Sequence, residues 1–260
     1  MNFAFTIAGS DSSAGAGIQE DLKTCSSLGI YCLTVITSIT AQNTFSVKEI
    51  FDIPSEIVGK QIDAIYEDFP IKFGKTGMLS NKDIIKIVSK KIDEYNLKVV
   101  VDPVMYAKSG AKLLRDDAID SMINDLIPRA FIVTPNIPEA EKISNVKIKN
   151  LDDMKKAAEI IKGYGPEIVI IKGGHMESEN VTDVIYSKEF IFLEYKRINT
   201  KNTHGTGCTY SSAIASFLSK NYDPIEAIKN ARSFLQKALE NNLNIGHGHG
   251  PLNPFYNIWK

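Results

Sequence analysis

The chain reads as an α/β domain with a central, mostly parallel sheet flanked by helices on both faces. Three observations predict this. β-branched apolar runs alternate with helix-period runs along the whole length, joined by short connections. Leu97 to Val101 and Glu167 to Ile171 are nearly unbroken apolar runs, as expected of strands covered on both sides. No Pro-, Gly- or Ser-rich linker and no repeat interrupts the middle, so residues 1–260 are expected to form one domain.

In chain order, Phe3 to Ala8 is a strand that ends in the Gly- and Ser-rich run 9–17, and a helix from Ile18 to Leu28 should present Ile18, Leu22, Cys25 and Leu28 on one face. Gly15-Ala16-Gly17 lacks the third glycine of a dinucleotide-binding fingerprint, which disfavours that reading. Tyr31 to Thr40 is a β-branched strand, and Pro54 opens a helix to Asp68. Ile71 to Gly74 is a short strand, and Asn81 caps a helix to Tyr95. After the strand at Leu97 come a helix over Leu113 to Leu126, a strand at Phe131 to Val133 and a helix over Leu151 to Tyr164. The strand at Glu167 is followed by a hairpin of Val181 to Tyr186 and Phe190 to Tyr195. Helices from Thr209 to Leu218 and Pro224 to Asn241 complete the core, and Gly246 to Pro251 is a loop.

Composition narrows the function. A 43% hydrophobic and 23% charged chain suits a soluble globular protein. Net charge is −1 and the basic residues are interleaved with acidic ones, so neither nucleic acid nor an anionic membrane is expected as a partner. Cys25, Cys32 and Cys208 form no Cys-x-x-Cys pair and no even set, which fits a reducing cytoplasm rather than a disulfide framework. No basic leader or membrane-length apolar stretch is apparent, and a cytoplasmic location is expected. Gly-His-Gly-His-Gly at 246–250 is read as a loop rather than a metal site.

In open α/β sheets, ligands bind beyond the carboxyl ends of the strands. The polar runs at 9–17, 41–44, 75–78, 102–105, 134–139 and 172–175 should therefore share one rim. Asp102 and Glu139 there could hold magnesium, although they also suit a turn before Pro103 and a helix first turn. Lys172 could neutralise a phosphate. The run Gly205-Thr206-Gly207-Cys208 places bare amides and a thiol at a helix start, where anions and a thiolate are favoured. The competing reading is a tight loop followed by a small buried cysteine. Metal, clamp, anion hole and base together are the requirements of phosphoryl transfer, yet the P-loop and protein-kinase signatures are absent.

IAGSDSSAGAGIQEDLKT at 7–24, TAQNT at 40–44, KTGML at 75–79, DPVMYAKSGAKLL at 102–114, TPNIPEAE at 134–141, IKGGH at 171–175 and NTKNTHGTGCT at 199–209 resemble the hydroxymethylpyrimidine/phosphomethylpyrimidine kinases of thiamine biosynthesis, which are ribokinase-like. The resemblance spans essentially the whole chain, in order. It implies transfer of the ATP γ-phosphate, with Mg2+, to 4-amino-5-hydroxymethyl-2-methylpyrimidine and then to its monophosphate. It further implies that Gly9, Asp21, Gln42, Met78 and Val104 bind the pyrimidine, with Asp21 and Gln42 as hydrogen-bonding partners. Asp102 and Glu139 would serve the metal, and Asn136, Lys172 and Thr206 the nucleotide phosphates. Gly205 to Cys208 would form the anion hole with Cys208 as base, Lys108-Ser109-Gly110 would lie in a flap, and the assembly would be a homodimer. Ala14 and Thr76 depart from common family residues without removing chemistry. A pyridoxal kinase is the nearest alternative, but Ala41-Gln42-Asn43-Thr44 and Thr206 follow the pyrimidine pattern. A non-catalytic sensor would be expected to have lost the site residues that this chain retains.

Overall fold

The alternation of strands and helices organises into one nine-stranded sheet in the computed structural model, which describes residues 1–258. Strands β1 (Phe3–Asp11), β2 (Tyr31–Gln42), β3 (Val47–Asp52), β4 (Phe73–Thr76), β5 (Lys98–Val101), β6 (Ile132–Val133), β7 (Ile168–Ile171), β8 (Asn180–Tyr186) and β9 (Phe190–Lys196) lie in the order β3-β2-β1-β4-β5-β6-β7-β8-β9. The six strands from β2 to β7 in that order pair in parallel, while β3, β8 and β9 add antiparallel edges. The chain enters at β1, steps outward to β2, and returns to β4 on the other side of β1. The connections leaving β1 and β4 therefore diverge, opening a crevice at their carboxyl ends.

The helices are α1 (Gly17–Ser27), α2 (Ser55–Asp68), α3 (Lys82–Glu94), α4 (Ile119–Ser121), α5 (Ile137–Ser144), α6 (Leu151–Gly163), α7 (Thr206–Ser219) and α8 (Pro224–Glu240). Period-2 alternation along the central strands supplies both faces of the sheet. Val99, Val101, Val133, Val169 and Ile171 pack with α2, α3, α5 and α6. Val100, Ile132, Ile168 and Ile170 pack with α7 and α8. Each such side chain contributes about 1.5–3 kcal/mol on burial.

Local chemistry sets the helix ends. Asn81 accepts bonds from the amides of Asp83 and Ile84, Asn150 caps α6, and Asp223 caps α8 ahead of Pro224. Asn136 and Glu139 form a reciprocal capping box on α5, the helix whose first turn was the alternative reading of Glu139. β3 was not expected, since Lys48 and Glu49 interrupt its apolar run at the sheet edge. The helix expected over 113–126 is instead a chain of short turns: 3₁₀ at Asp116–Ala118, α4, a π segment at Met122–Leu126 and 3₁₀ at Ile127–Arg129. Pro128, lacking an amide, cannot extend a regular ladder there.

The apolar face expected for α1 is rotated. Leu22 is 40% exposed, whereas Glu20 and Asp21 are fully buried. Polar ties to α7 outweigh the apolar pattern on this helix. α7 also starts three residues earlier than expected, at Thr206, directly after the turn at Gly205.

On the opposite side of α7, Arg232 of α8 donates to Asp183 of β8 at 3.0 Å, and Asp183 accepts the Gly173 amide at 2.9 Å. The guanidinium also stacks 4.2 Å from the Tyr195 ring centroid. Removing one member of a buried pair leaves the other charge uncompensated. Arg232→Ala is expected to cost about 3–5 kcal/mol by urea denaturation; a loss under about 1 kcal/mol would show that Asp183 is satisfied without it.

Candidate active site

Gly205 occupies the left-handed region at φ 85° and serves as the N-cap of α7. A Cβ there would collide with the Gly15 carbonyl oxygen, so the turn requires glycine for both conformation and space. No side chain caps α7, and its first closed backbone bond is Thr209 N–H to Gly205 carbonyl at 2.8 Å. Thr206 turns its hydroxyl back to the Thr203 carbonyl at 2.6 Å. The Thr206 amide also turns back to the Thr203 carbonyl at 3.4 Å, and Gly205 to Cys208 line the cavity at the positive end of the helix.

The cavity, about 560 Å³, is walled at one end by Gly9, Gln42, Met78 and Val104 and at the other by Val181, Arg232, Leu235 and Leu239. Gly205, Thr206, Gly207 and Cys208 lie between the two ends, since Gly207 approaches both Asp102 beyond β5 and Lys172 beyond β7: a Cβ on it would meet Asp102 Oδ2 at 3.0 Å and Lys172 Nζ at 3.3 Å. Lys172 donates to Asp102 Oδ1 at 2.7 Å, and Thr134 donates to the same oxygen at 3.2 Å. Burial opposes the charge on Lys172, but Asp102 and Glu139 override it and raise the lysine above its ordinary value.

Glu139 accepts the Asn136 amide at 2.8 Å and donates its own amide to Asn136 Oδ1 at 3.0 Å. Burial pushes its carboxyl up to about 7, with Asp102 adding repulsion and Lys172 opposing. Both readings of Glu139 therefore meet in one residue, which caps α5 and also lines the cavity. Two hard oxygen donors, mutually repelling across a cavity wall, fit a divalent cation whose other ligands are water and phosphate. Among the described residues no set of three or more His, Cys, Asp or Glu gathers at one point.

Of the residues that the resemblance assigns to the pyrimidine, Gly9, Gln42, Met78 and Val104 line the same wall. Asp21 does not. Its carboxylate accepts from Lys75 at 2.8 and 2.9 Å, from Thr6 at 2.6 Å and from Ser212 at 2.6 Å, and it is fully buried. Starting α1 at Gly17 puts Asp21 one turn below the rim, so its oxygens are spent inside the protein. Cys208 also departs from expectation. Burial pushes its thiol up to about 12, opposed by Lys75 and the Gly17 amide and reinforced by Asp21 and Asp102. The helix start alone does not yield a thiolate at neutral pH.

Several site residues carried no assignment from sequence. His204 Nε2 lies 2.8 Å from Asp11 Oδ2 and 3.2 Å from Gln42 Nε2, joining the glycine-rich loop to the Gln42 wall of the cavity. Asp11 also accepts the amides of Ser13, Gly15 and Ala16, at 2.9, 3.1 and 2.9 Å, which shapes that loop. The tail closes this end: Gly250 accepts the His204 amide at 3.1 Å and His249 donates its amide to the Thr44 carbonyl at 2.9 Å. Lys75 lay inside a quoted motif, and a lysine within a short central strand was its available signal. Tyr210 lines the cavity with a buried hydroxyl that has no partner.

A ribokinase-like sheet with an uncapped helix start facing a lysine and two acids defines a small-molecule phosphotransferase. The phosphomethylpyrimidine kinase family model matches residues 11–253. The chain is 47% identical over 255 residues to the hydroxymethylpyrimidine/phosphomethylpyrimidine kinase of Bacillus subtilis (strain 168), covering 97% of this chain and 94% of that one. It is 43% identical over 261 residues to the enzyme of the same name from Rhizobium meliloti (strain 1021), covering 99% and 98%. Among solved structures, phosphomethylpyrimidine kinase from Clostridium difficile 630 is 46% identical with TM-score 0.82, covering 92% of this chain and 100% of that chain. Staphylococcus aureus pyridoxal kinase in complex with AMP-PCP and pyridoxal is 34% identical with TM-score 0.90, covering 98% and 94%. The chain belongs to the phosphomethylpyrimidine kinase family and is a kinase.

Glu20, fully buried beneath this turn, has its carboxyl pushed up to about 7 by burial, against the opposing charge of Lys23 and the bond from Thr209. The folded value exceeds the unfolded one, so the contribution to stability is fully present below pH 4.5 and is lost as pH rises through about 7. Urea denaturation of wild type and Glu20→Gln at pH 5 and pH 8 should show the variant gaining roughly 3 kcal/mol relative to wild type at the higher pH. An unchanged difference would mean that Glu20 titrates normally.

Proposed function

We propose that this chain transfers the γ-phosphoryl group of ATP to 4-amino-5-hydroxymethyl-2-methylpyrimidine and then to its monophosphate, giving the diphosphate for thiamine biosynthesis. The observation that carries this reading is the position of Gly207, packed against Asp102 and Lys172 in one cavity with Gly9, Gln42, Met78 and Val104. The pyrimidine occupies the Gln42 end, where an amide supplies both donor and acceptor to a neutral aminopyrimidine. ATP enters from the Arg232 end, with its phosphates toward Lys172 and Asn136.

During transfer the bond from the substrate oxygen to γ-phosphorus forms as the β–γ bridging bond breaks. The amides of 206–208 receive the charge on the equatorial oxygens, and Lys172 clamps the phosphates. Asp102 and Glu139 would hold a divalent cation, proposed as Mg2+, that offsets phosphate charge. Cys208 takes the hydroxyl proton in its ionised form, which Lys75 and the Gly17 amide favour against burial.

A vitamin B6 alcohol is the second reading, supported by pyridoxal kinase structures at 34–37% identity with TM-scores of 0.89–0.91. ADP release with each alcohol separates the two: the pyrimidine is expected to give the higher kcat/KM, followed by conversion of monophosphate to diphosphate. Pyridoxal as the better substrate would reverse the assignment, and no ADP with either alcohol would favour a binding protein.

The cytoplasm is proposed as the compartment, consistent with no helix among the described residues being long and apolar enough to cross a membrane. The assembly is proposed as a homodimer, supported by Ile39 and Phe51, paired across β2 and β3 and 51% and 64% exposed. Light scattering should report twice the chain mass, and Phe51→Glu should halve it; a monomeric wild type would overturn this.

A Cys208 base protonated near neutrality predicts that kcat rises by up to tenfold per pH unit between pH 7 and 9, because the ionised fraction grows toward about 12. Cys208→Ala should lower kcat by about 10²–10⁴ and flatten the profile. A pH-independent wild type, or an unimpaired variant, removes Cys208 as the base.

A further inference from the structure

α7 has six small hydroxyl residues, and three of them are satisfied within the helix. Ser211 donates to the Gly207 carbonyl at 2.9 Å, Ser216 to the Ser212 carbonyl at 2.8 Å and Ser219 to the Ser216 carbonyl at 2.8 Å. Thr209 does otherwise. Its hydroxyl donates across to Glu20 Oε1 of α1 at 2.8 Å, in a fully buried contact. A carboxylate is costly to bury, and the helix had a cheaper acceptor in its own carbonyls.

Glu20 touches both ends of the turn that forms the anion hole. A Cβ on Gly205 would lie 3.1 Å from Glu20 Cγ, so the N-cap rests on the aliphatic stem of the glutamate. Thr209, held by the carboxylate, closes that same turn through its amide to the Gly205 carbonyl at 2.8 Å. Lys23 lies 2.6 Å from Glu20 Oε2 and anchors the carboxylate from the surface side. The next residue, Asp21, grips Ser212 one turn further along α7, so the body of the helix is fixed separately from its start.

We propose that Glu20 is a positioning residue for phosphoryl transfer: by holding Thr209 and supporting Gly205, it sets the direction in which the amides of 206–208 point. This rests on assigning that turn to the transferred phosphoryl group. Glu20 does not line the cavity, so it acts only through the turn. Displacing a catalytic group by about 1 Å can cost on the order of 10²-fold in rate.

The test uses the full chain with Glu20→Ala, Thr209→Val, their combination and Thr209→Ser, each checked by circular dichroism for native helix content. The two single variants should lower kcat about 10–100-fold with the alcohol KM within about threefold of wild type. The double variant should be no slower than the worse single one, and Thr209→Ser should recover most of the loss of Thr209→Val. Multiplicative losses, a rise in alcohol KM with kcat intact, or no change in kcat would overturn the proposal. A second measurement does not depend on the substrate: inorganic phosphate titrated into 15N-labelled protein should shift the Gly207 and Cys208 amides of wild type, with about tenfold weaker binding in Glu20→Ala. Equal phosphate affinity in the two proteins would also overturn it. Phosphate binding that depends on Glu20 in a protein that phosphorylates none of the alcohols would keep the positioning role and sink the substrate assignment.

Discussion

Lys75 and Asp21 form an ion pair that water does not reach, with side chains 1% and 0% exposed. The two charges join four elements, because Asp21 belongs to α1, Lys75 to β4, and the same carboxylate accepts Thr6 of β1 and Ser212 of α7. Four bonds saturate the carboxylate, which is the condition under which a buried pair holds its place. Burial works against the lysine charge, but Asp21, Cys208 and Asp102 hold it well above the ordinary lysine value. The pair thereby spans the switch between β1 and β4 and fixes α7 over it.

The electrostatics of the cavity follow from that placement. One permanent cation, Lys75, sits below the start of α7 and a second, Lys172, lies beside Gly207, while Asp102 faces both. Such a field suits a polyanionic ligand and, through Lys75, favours a thiolate, but burial overrides it and Cys208 rests as a thiol. The helix dipole acts on Cys208, but within a few ångströms it competes with desolvation and two carboxylates. A cysteine at a helix start is therefore not reactive by position alone.

The residues that gather around the Gln42 end of the cavity come from distant parts of the chain. Asp11, Gln42 and His204 meet because the glycine-rich loop, the end of β2 and the approach to α7 share one rim. The tail then packs against Thr44 and His204 and turns an open crevice into a closed end. Gly15 leaves the space that the His204 ring fills. These contacts are spread over the chain at separations that no local pattern encodes.

The sequence by itself determined the strand-helix alternation, the shared rim, and most of its polar residues, because burial of parallel strands and helix starts leave strong local signatures. It singled out Gly205 to Cys208, Asp102, Glu139, Lys172, Gly9, Gln42, Met78 and Val104, and all of them line one cavity. Tertiary structure alone decided how α1 packs: the apolar pattern put Leu22 inside and the resemblance put Asp21 at the site, yet Leu22 is exposed and Asp21 is buried among paired charges and hydroxyls, while Ile18 and Cys25 stay inside. It also decided the protonation of Cys208, since a pKa responds to every charge nearby and to the loss of water. β3 escaped notice because its stability comes from the sheet edge it completes, and not from a periodicity long enough to read.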